Sequence, residues 1–292
     1  MLKCVIYRVT SCCYEILSDT IEVMKDSMSD VPITLRMEDA AKKKFGPDYF
    51  QNLPYDKDEI LFVTDSPVVI EELFAAGCYA IAFYHATNRE AVFPGAQYAV
   101  EKVEELIPTS YERAYRRLAG LPWDILETER LKVRESTLAD VDEFYRIYST
   151  PSITYYIEDL FQDKDMERAY MESYIRNVYG FYGFGLWTVL LGRENKVIGR
   201  AGLSVRAGYD LPELGFVIDA AHQKRGYGCE VCKAILHYAK DELCFEKVQA
   251  MVKEENKASL ELLHKLGFQI QKKVKKDGGE YLLAIKNLYG KI

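Results

Sequence analysis

The stretch from Leu214 to Tyr238 constrains this chain more than any other. An apolar run, Leu214–Ile218, leads through Gln223-Lys224-Arg225-Gly226-Tyr227-Gly228 into a helical pattern carried by Val231, Ala234, Ile235 and Tyr238. Two glycines around Tyr227 let the backbone turn tightly and aim several N–H groups at one spot at a helix N-terminus. The helix dipole favours negative charge at the same spot, so the arrangement suits a pyrophosphate. Gln223, Lys224 and Arg225 stand where side chains can reach those phosphates. Glycine pairs also open many ordinary turns. A dinucleotide fingerprint would need a third glycine where Val231 stands, and here basic residues precede the glycines, so that reading is disfavoured.

The rest of the second half alternates in a way that frames this loop. Leu131–Arg134 reads as a strand, and Thr137 with Asp140 three residues on offers a capping box. The helix that follows puts Val141, Phe144, Tyr145 and Tyr148 on one face. A tyrosine-rich helix is expected over about 166–179, then strands over 187–191, 197–205 and 214–218. Past the loop helix, a strand at 247–252, a short helix capped by Asn256 and closed by Gly267, and strands at 268–270 and 281–285 complete the pattern.

Length favours two domains, since 292 residues is long for one compact unit. Gly120 and Pro122 end the helical run Tyr111–Ala119, and a new alternating segment starts at Leu126. A linker over 120–126 therefore separates domains 1–122 and 123–292. The net charge of −7 is uneven: residues 1–122 hold 13 Lys and Arg against 19 Asp and Glu, and the remainder 25 against 26. Neither half has the basic bias of a nucleic-acid binder. The apolar stretches are too short to span a bilayer. Met1–Cys4 runs into a strand-like segment without the shape of a signal peptide, and seven irregularly spaced cysteines argue for reduced thiols. A cytoplasmic location is expected.

Gln-x-x-Gly-x-Gly after an apolar strand resembles the coenzyme A loop of the GNAT acetyltransferase superfamily. Asn256-Lys257-Ala258-Ser259 followed by Leu266-Gly267-Phe268 resembles that superfamily's next motif. Val197-Ile198-Gly199 and Glu213-Leu214-Gly215-Phe216 resemble the branch that acetylates N-terminal amines of ribosomal proteins. The resemblance runs from about Leu126 to Ile285 and implies a twisted mixed sheet of the GNAT acyltransferase fold. In it the strand 214–218 splays from the strand 247–252, and the pantetheine arm of acetyl-coenzyme A lies between them. The backbone of Phe216, Val217 and Ile218 would bond the pantetheine amides, Lys224 to Cys229 would surround the pyrophosphate, and Asn256 would bond the arm.

The implied chemistry is direct attack of an amine on the thioester. A carboxylate that takes the amine proton would help, and Glu213 is the candidate base, against the alternative that it is a strand-end charge facing water. The leaving thiolate needs a proton. Many GNAT enzymes use a tyrosine in the helix after Asn256, but here that helix contains none, and Ser259 is the substitute, unless it serves only helix-start bonding. No metal is expected: Cys229-x-x-Cys232 lacks a second pair at zinc spacing and reads as packing. His222 borders the loop, His264 reads as structural, and Tyr170, Tyr174 and Tyr179 read chiefly as core, their polar tips leaving contact with the acceptor open.

In the first half, short strands at 3–9, 32–37, 60–64 and 79–83 alternate with helical stretches, which favours a parallel α/β sheet. The segment Leu61–Gly77, with Asp65 after an apolar strand, resembles the last acidic motif of haloacid dehalogenase-like phosphatases. That family carries its aspartate nucleophile at the end of the first strand and a second aspartate two residues later. Here Arg8 and Thr10 occupy those places, and Val69 replaces the second acid of the later motif. The resemblance thus implies a Rossmann-like domain without phosphatase chemistry.

The expectation is an N-acetyltransferase, using acetyl-coenzyme A and a small-molecule or peptide amine, fused to a non-catalytic domain. A coenzyme-binding sensor without turnover and a phosphohydrolase with an accessory domain are the alternatives. The acceptor is not legible.

Overall fold

The computed structural model describes residues 1–27, 30–46, 48–157, 159–192, 194–276 and 279–289. The chain divides into two compact units, Met1–Leu121 and Pro122–Ile292.

The first unit runs β1 (Cys4–Val9), α1 (Ser11–Ser27), β2 (Thr34–Asp39), β3 (Ile60–Thr64), α2 (Pro67–Ala75), β4 (Tyr79–Phe83), β5 (Ala99–Val100) and α3 (Pro108–Leu118). Its sheet is parallel throughout, in the order β2-β1-β3-β4-β5. β1 and β3 are buried at every residue, as central strands covered on both faces must be. The two-residue period divides them. Val5, Tyr7, Val9, Leu61 and Val63 pack with α1 and α3 residues such as Leu17, Ile21 and Tyr111. Cys4, Ile6, Ile60 and Phe62 pack with Val69, Ile70 and Leu73 of α2. Ser66 starts α2 by accepting a bond from the Val69 N–H, with Pro67 in the first turn.

The second unit begins with β6 (Asp124–Glu127), a four-residue strand that starts within the 120–126 stretch the sequence reads as linker. β7 (Leu131–Arg134), α4 (Val141–Tyr148), α5 (Pro151–Thr154) and α6 (Lys164–Tyr174) follow. α6 passes into a π-helical turn at Ile175–Tyr179 and a short α7 (Gly180–Tyr182). Then come β8 (Leu186–Leu191), β9 (Lys196–Ser204), β10 (Glu213–Ile218), α8 (Tyr227–Asp241), β11 (Lys247–Lys253), α9 (Lys257–Lys265), β12 (Gln269–Lys276) and β13 (Gly279–Asn287). The sheet is mixed, in the order β12-β13-β11-β10-β9-β8-β7-β6, with β10 and β11 its parallel pair.

Helices cover both faces of this sheet. Val231, Ile235 and Leu263 of α8 and α9 pack on Trp187, Ile198 and Val248, while Val141, Phe144 and Met171 of α4 and α6 pack on Leu190, Val197 and Val217. The final hairpin is longer than its apolar residues suggest, because lysines fill much of β12 and mask the alternation. The π turn brings Tyr179 beneath the start of β8. Its hydroxyl donates to the Leu186 carbonyl and accepts from the Ser136 N–H at 3.2 Å, while Tyr174 accepts from the Leu186 N–H at 2.8 Å. Both backbone groups of Leu186 are thereby held by tyrosines, so the tyrosine-rich helix works chiefly as a clamp on β8.

Candidate functional site

β10 and β11 are neighbours in the sheet, yet their register holds a single pair, Glu213 with Gln249, joined by the Gln249 N–H donating to the Pro212 carbonyl at 2.9 Å. On its other side β10 is paired to β9 along its whole length. From Leu214 onward the β10 edge facing β11 therefore has no ladder partner. An unpaired strand edge beside a cleft offers N–H and C=O groups to an extended ligand. Phe216, Val217 and Ile218 lie on this stretch.

The glycine loop follows directly. Lys224 and Gly226 both adopt left-handed backbone, at φ 59° and 84°, and α8 starts at Tyr227. A β-carbon is tolerated poorly at φ near +84°, so the second of these positions calls for glycine. Fifteen residues of α8 stand behind the loop with their dipole pointing at it. Lys224 and Arg225 are exposed, while Tyr227, Gly228 and Cys229 are half-buried. Gln223 is used differently from the sequence expectation: its side-chain amide donates to the Ile218 carbonyl at 2.9 Å and pins the loop to the end of β10.

Two further anchors hold the loop. Asp219, at the end of β10, accepts from the Arg146 guanidinium at 2.7 Å and the Ala221 N–H at 3.1 Å, with the His222 ring at 3.2 Å. Burial pushes the Asp219 carboxyl up, but these donors outweigh it and hold the group below its ordinary range. His222 is itself buried beside Asp219. The second anchor, Arg130, is remote in sequence and carries no local signal. It donates to the Arg225 carbonyl at 3.0 Å, stacks over the Tyr227 ring at 4.5 Å, and pairs with Glu230 at 2.5 Å. Thr128 completes the clasp by donating to Glu230 at 2.6 Å.

Beside the splayed strands lies a cavity of about 240 Å³. Leu214–Val217 and Ala250–Lys253 form its strand walls, Asn256, Ser259 and Leu263 its α9 wall, and Tyr148, Tyr156, Arg200 and Tyr281 contribute elsewhere. Glu213 lines it too. The sequence leaves Glu213 between a catalytic and a solvent-facing role; it is 7% exposed, and its two carboxylate oxygens accept from Arg206 at 2.6 and 2.8 Å. Asn256 caps α9, accepting from the Ser259 N–H at 3.1 Å. That bond uses the backbone of Ser259, and the Ser259 side chain is half-buried at the cavity wall. Three tyrosines thus reach this cavity although α9 supplies none, from α4, from the segment after α5 and from β13.

Other residues singled out in the sequence fall outside this cluster. Cys232 is fully buried in α8, where burial pushes its thiol up. His264 is exposed and lines a separate, larger cavity of about 590 Å³ between α9 and β12.

In the first unit, the strand ends gather Thr10, Asp65 and His85. The Asp65 carboxylate accepts from the Thr10 N–H at 2.8 Å and the Thr10 hydroxyl at 2.6 Å, and His85 Nε2 lies 3.3 Å away. Donor atoms of Cys13, Asp65 and His85 all lie within 4.8 Å of one another. The Cys13 thiol is buried, and burial first, then the neighbouring Asp65, push it up to about 12. Arg8 is 2% exposed and held elsewhere, donating to the Lys43 carbonyl at 2.7 Å, pairing with Glu38 at 3.4 Å and stacking against Phe45 and Tyr49. No helix among the described residues is long and apolar enough to cross a membrane.

Comparison with known proteins bears on the second unit. A family model described as acetyltransferase (GNAT) domain matches residues 130–269. The uncharacterized protein YkkB of Bacillus subtilis (strain 168) is 28% identical over 156 residues, covering 52% of this chain and 88% of that protein. The uncharacterized N-acetyltransferase p20 of Bacillus licheniformis is 25% identical over 152 residues, covering 50% and 83%. Among solved structures, a putative GnaT-family acetyltransferase from Bordetella pertussis superposes with a TM-score of 0.50 at 23% identity, over 56% of this chain and 99% of that one. The loop that opens α8, the splayed strands and the matched span all fall in one place: the C-terminal half of this chain carries a GNAT acetyltransferase domain.

Proposed function

We propose that the domain spanning 123–292 transfers an acetyl group from acetyl-coenzyme A to a primary amine, and that 1–122 is a haloacid dehalogenase-like, Rossmann-type domain without phosphatase chemistry. The observation that carries the first part is the unpaired β10 edge running straight into the left-handed turns at the head of α8. The pantetheine arm would lie along Phe216–Ile218, with Asn256 on its other side. Lys224, Arg225, Gly226, Tyr227, Gly228 and Cys229 would enclose the pyrophosphate, and Gln223 would keep the loop in place through Ile218.

The amine attacks the thioester carbon and the sulfur leaves as thiolate. A β10 backbone N–H facing the cavity would stabilise the oxyanion between the two events. Glu213 would take the amine proton, directly or through water, with Arg206 fixing its orientation. Ser259 would return a proton to the thiolate, and Tyr148, Tyr156 and Tyr281 are hydroxyls at the same cavity that could share that task. The likeness of the first unit to the phosphatases stops at Asp65, whose carboxylate is occupied by Thr10.

A coenzyme-binding sensor without turnover is the second reading. It has one observation in its favour: Arg206 already occupies both oxygens of Glu213. Calorimetry with acetyl-coenzyme A tests binding. Gly226→Asp should abolish it, since a side chain at φ 84° is strained and the new carboxylate repels the phosphates. Equal affinity of wild type and variant ends the proposal. Thiol release in an amine screen then separates enzyme from sensor.

A further inference from the structure

Arg200 is a buried cation with no carboxylate partner among the described residues. It sits mid-strand in β9, opposite Val217, and is 6% exposed. Its guanidinium lies 4.6 Å over the Phe144 ring, and the polar groups facing it are the hydroxyls of Tyr148, Tyr174 and Tyr179. Its Nε has no hydrogen-bond partner, and no carboxylate among the described residues pairs with it. Removing a guanidinium from water costs several kcal/mol unless an anion compensates, so chains seldom retain one in this state without a use for it.

The use is indicated by what Arg200 faces. It lines the cavity that holds Glu213, Ser259 and the unpaired β10 edge. The other charges on that wall are already committed: Arg206 to Glu213, and Lys253 to the Tyr155 carbonyl at 2.9 Å. Arg206 and Glu213 cancel, and the wall keeps a positive balance. A carboxylate entering the cavity would find the planar fork of Arg200, the geometry that binds carboxylates in two parallel bonds. The same positive field would favour the neutral, nucleophilic form of an amine on that molecule.

We propose that the acceptor is an amine that also carries a carboxylate, and that Arg200 receives this carboxylate and so sets acceptor specificity. The inference rests on the acetyl-transfer reading of this cavity and adds the substrate class. A free amino acid and an acidic peptide N-terminus share this chemistry, and the experiment separates them.

Three acceptor sets are compared by thiol release from acetyl-coenzyme A: amino acids, the same amino acids as carboxamides, and short amidated peptides starting with Asp or Glu against those starting with Asn or Gln. The acid of a matched pair should exceed its neutral partner by about 30-fold or more in kcat/KM, as for a buried charge pair losing one member. Preference in the first comparison marks a free amino acid, in the second a peptide end. Arg200→Gln should collapse the ratio toward one, mainly through KM, and Arg200→Lys should restore part of it. The inference is overturned if neutral and acidic partners are used equally by the wild type. It is equally overturned if Arg200→Gln lowers both alike, which would make Arg200 a general stabiliser of the reaction. If no acceptor turns over, calorimetry of the same compounds with the protein saturated in coenzyme A decides: binding of acids alone supports the inference, and equal or absent binding removes it. A protein that binds no coenzyme A removes the underlying reading, and the inference falls with it.

Discussion

Gly199 offers a test of how tightly the site depends on its sheet. It lies in β9 between Val189 on one side and Ile218 on the other. A β-carbon there would stand 2.1 Å from the Val217 carbonyl oxygen and 3.1 Å from the Ile218 Cα. Real contacts of that kind do not fall below 3.0 Å, so Gly199→Ala must open the β9–β10 spacing by about 1 Å. The obstacle is backbone held in a ladder, which cannot swing aside as a side chain can. Overpacking of this sort costs about 1–3 kcal/mol, and the upper end applies where backbone must move. For a unit of this size about 3 kcal/mol corresponds to a fall in Tm of roughly 6–12 °C. Gly215→Ala is the control, because its β-carbon would meet only the end of the Leu186 side chain at 3.2 Å. Calorimetric melting of both variants gives the comparison. If Gly199→Ala melts within 2 °C of Gly215→Ala, the close-approach argument is wrong. Since Val217 and Ile218 carry the edge assigned to the pantetheine arm, Gly199→Ala should also weaken acetyl-coenzyme A binding.

Three further outcomes follow from the same geometry. Glu213→Gln should lower acetyl transfer by ~10²- to 10⁴-fold with coenzyme affinity little changed, and a drop below tenfold in a steady-state assay returns Glu213 to a purely structural pairing with Arg206. Asp140 is held by Arg134 through two bonds of 2.7 Å; burial raises its carboxyl, yet Arg134, the Thr137 N–H and Thr188 together leave it below its ordinary 3.8. A depressed folded value adds stability above the unfolded value and loses it as pH falls, so Asp140→Asn should destabilise by about 3 kcal/mol near neutrality and by progressively less below about pH 4. Urea melts at the two pH values check this, and an equal gap at both refutes it. The whole chain should release no phosphate from phosphomonoesters with magnesium, and release that disappears on Asp65→Asn would contradict the reading of the first unit.

The strands that bury both faces were legible because they are short, mostly apolar runs: β1, β3, β4 and β8 all fall within a residue or so of expectation. β6 escaped because four residues, half of them exposed, carry too little pattern to tell from a linker. At the site, the loop and its cap could be read locally, since Gly226 and Asn256 act on their own neighbours. Arg130, Arg200 and Tyr281 could not. Each reaches the site across the fold, from positions where a basic or aromatic residue in or beside a strand looks like any other. Glu213 shows the limit from the other side: its candidacy was visible, but its pairing with Arg206 depends on how the intervening turn folds back.

The single rung between Glu213 and Gln249 has a mechanical meaning. The three strands β12-β13-β11 join the five strands β10 to β6 through one register pair, so the sheet is a hinged panel fastened at one end. Helices α8 and α9 brace the panel, but the backbone along the open seam has no rungs of its own. An extended molecule laid in that seam becomes a removable strand and tightens both panels at once. At a hundred times its Kd it would add about 2.7 kcal/mol to the stability of the folded chain. The amides of β11 and β13 should then exchange with solvent as one block, faster than those of β8 and β9 when the seam is open and in step with them when it is filled.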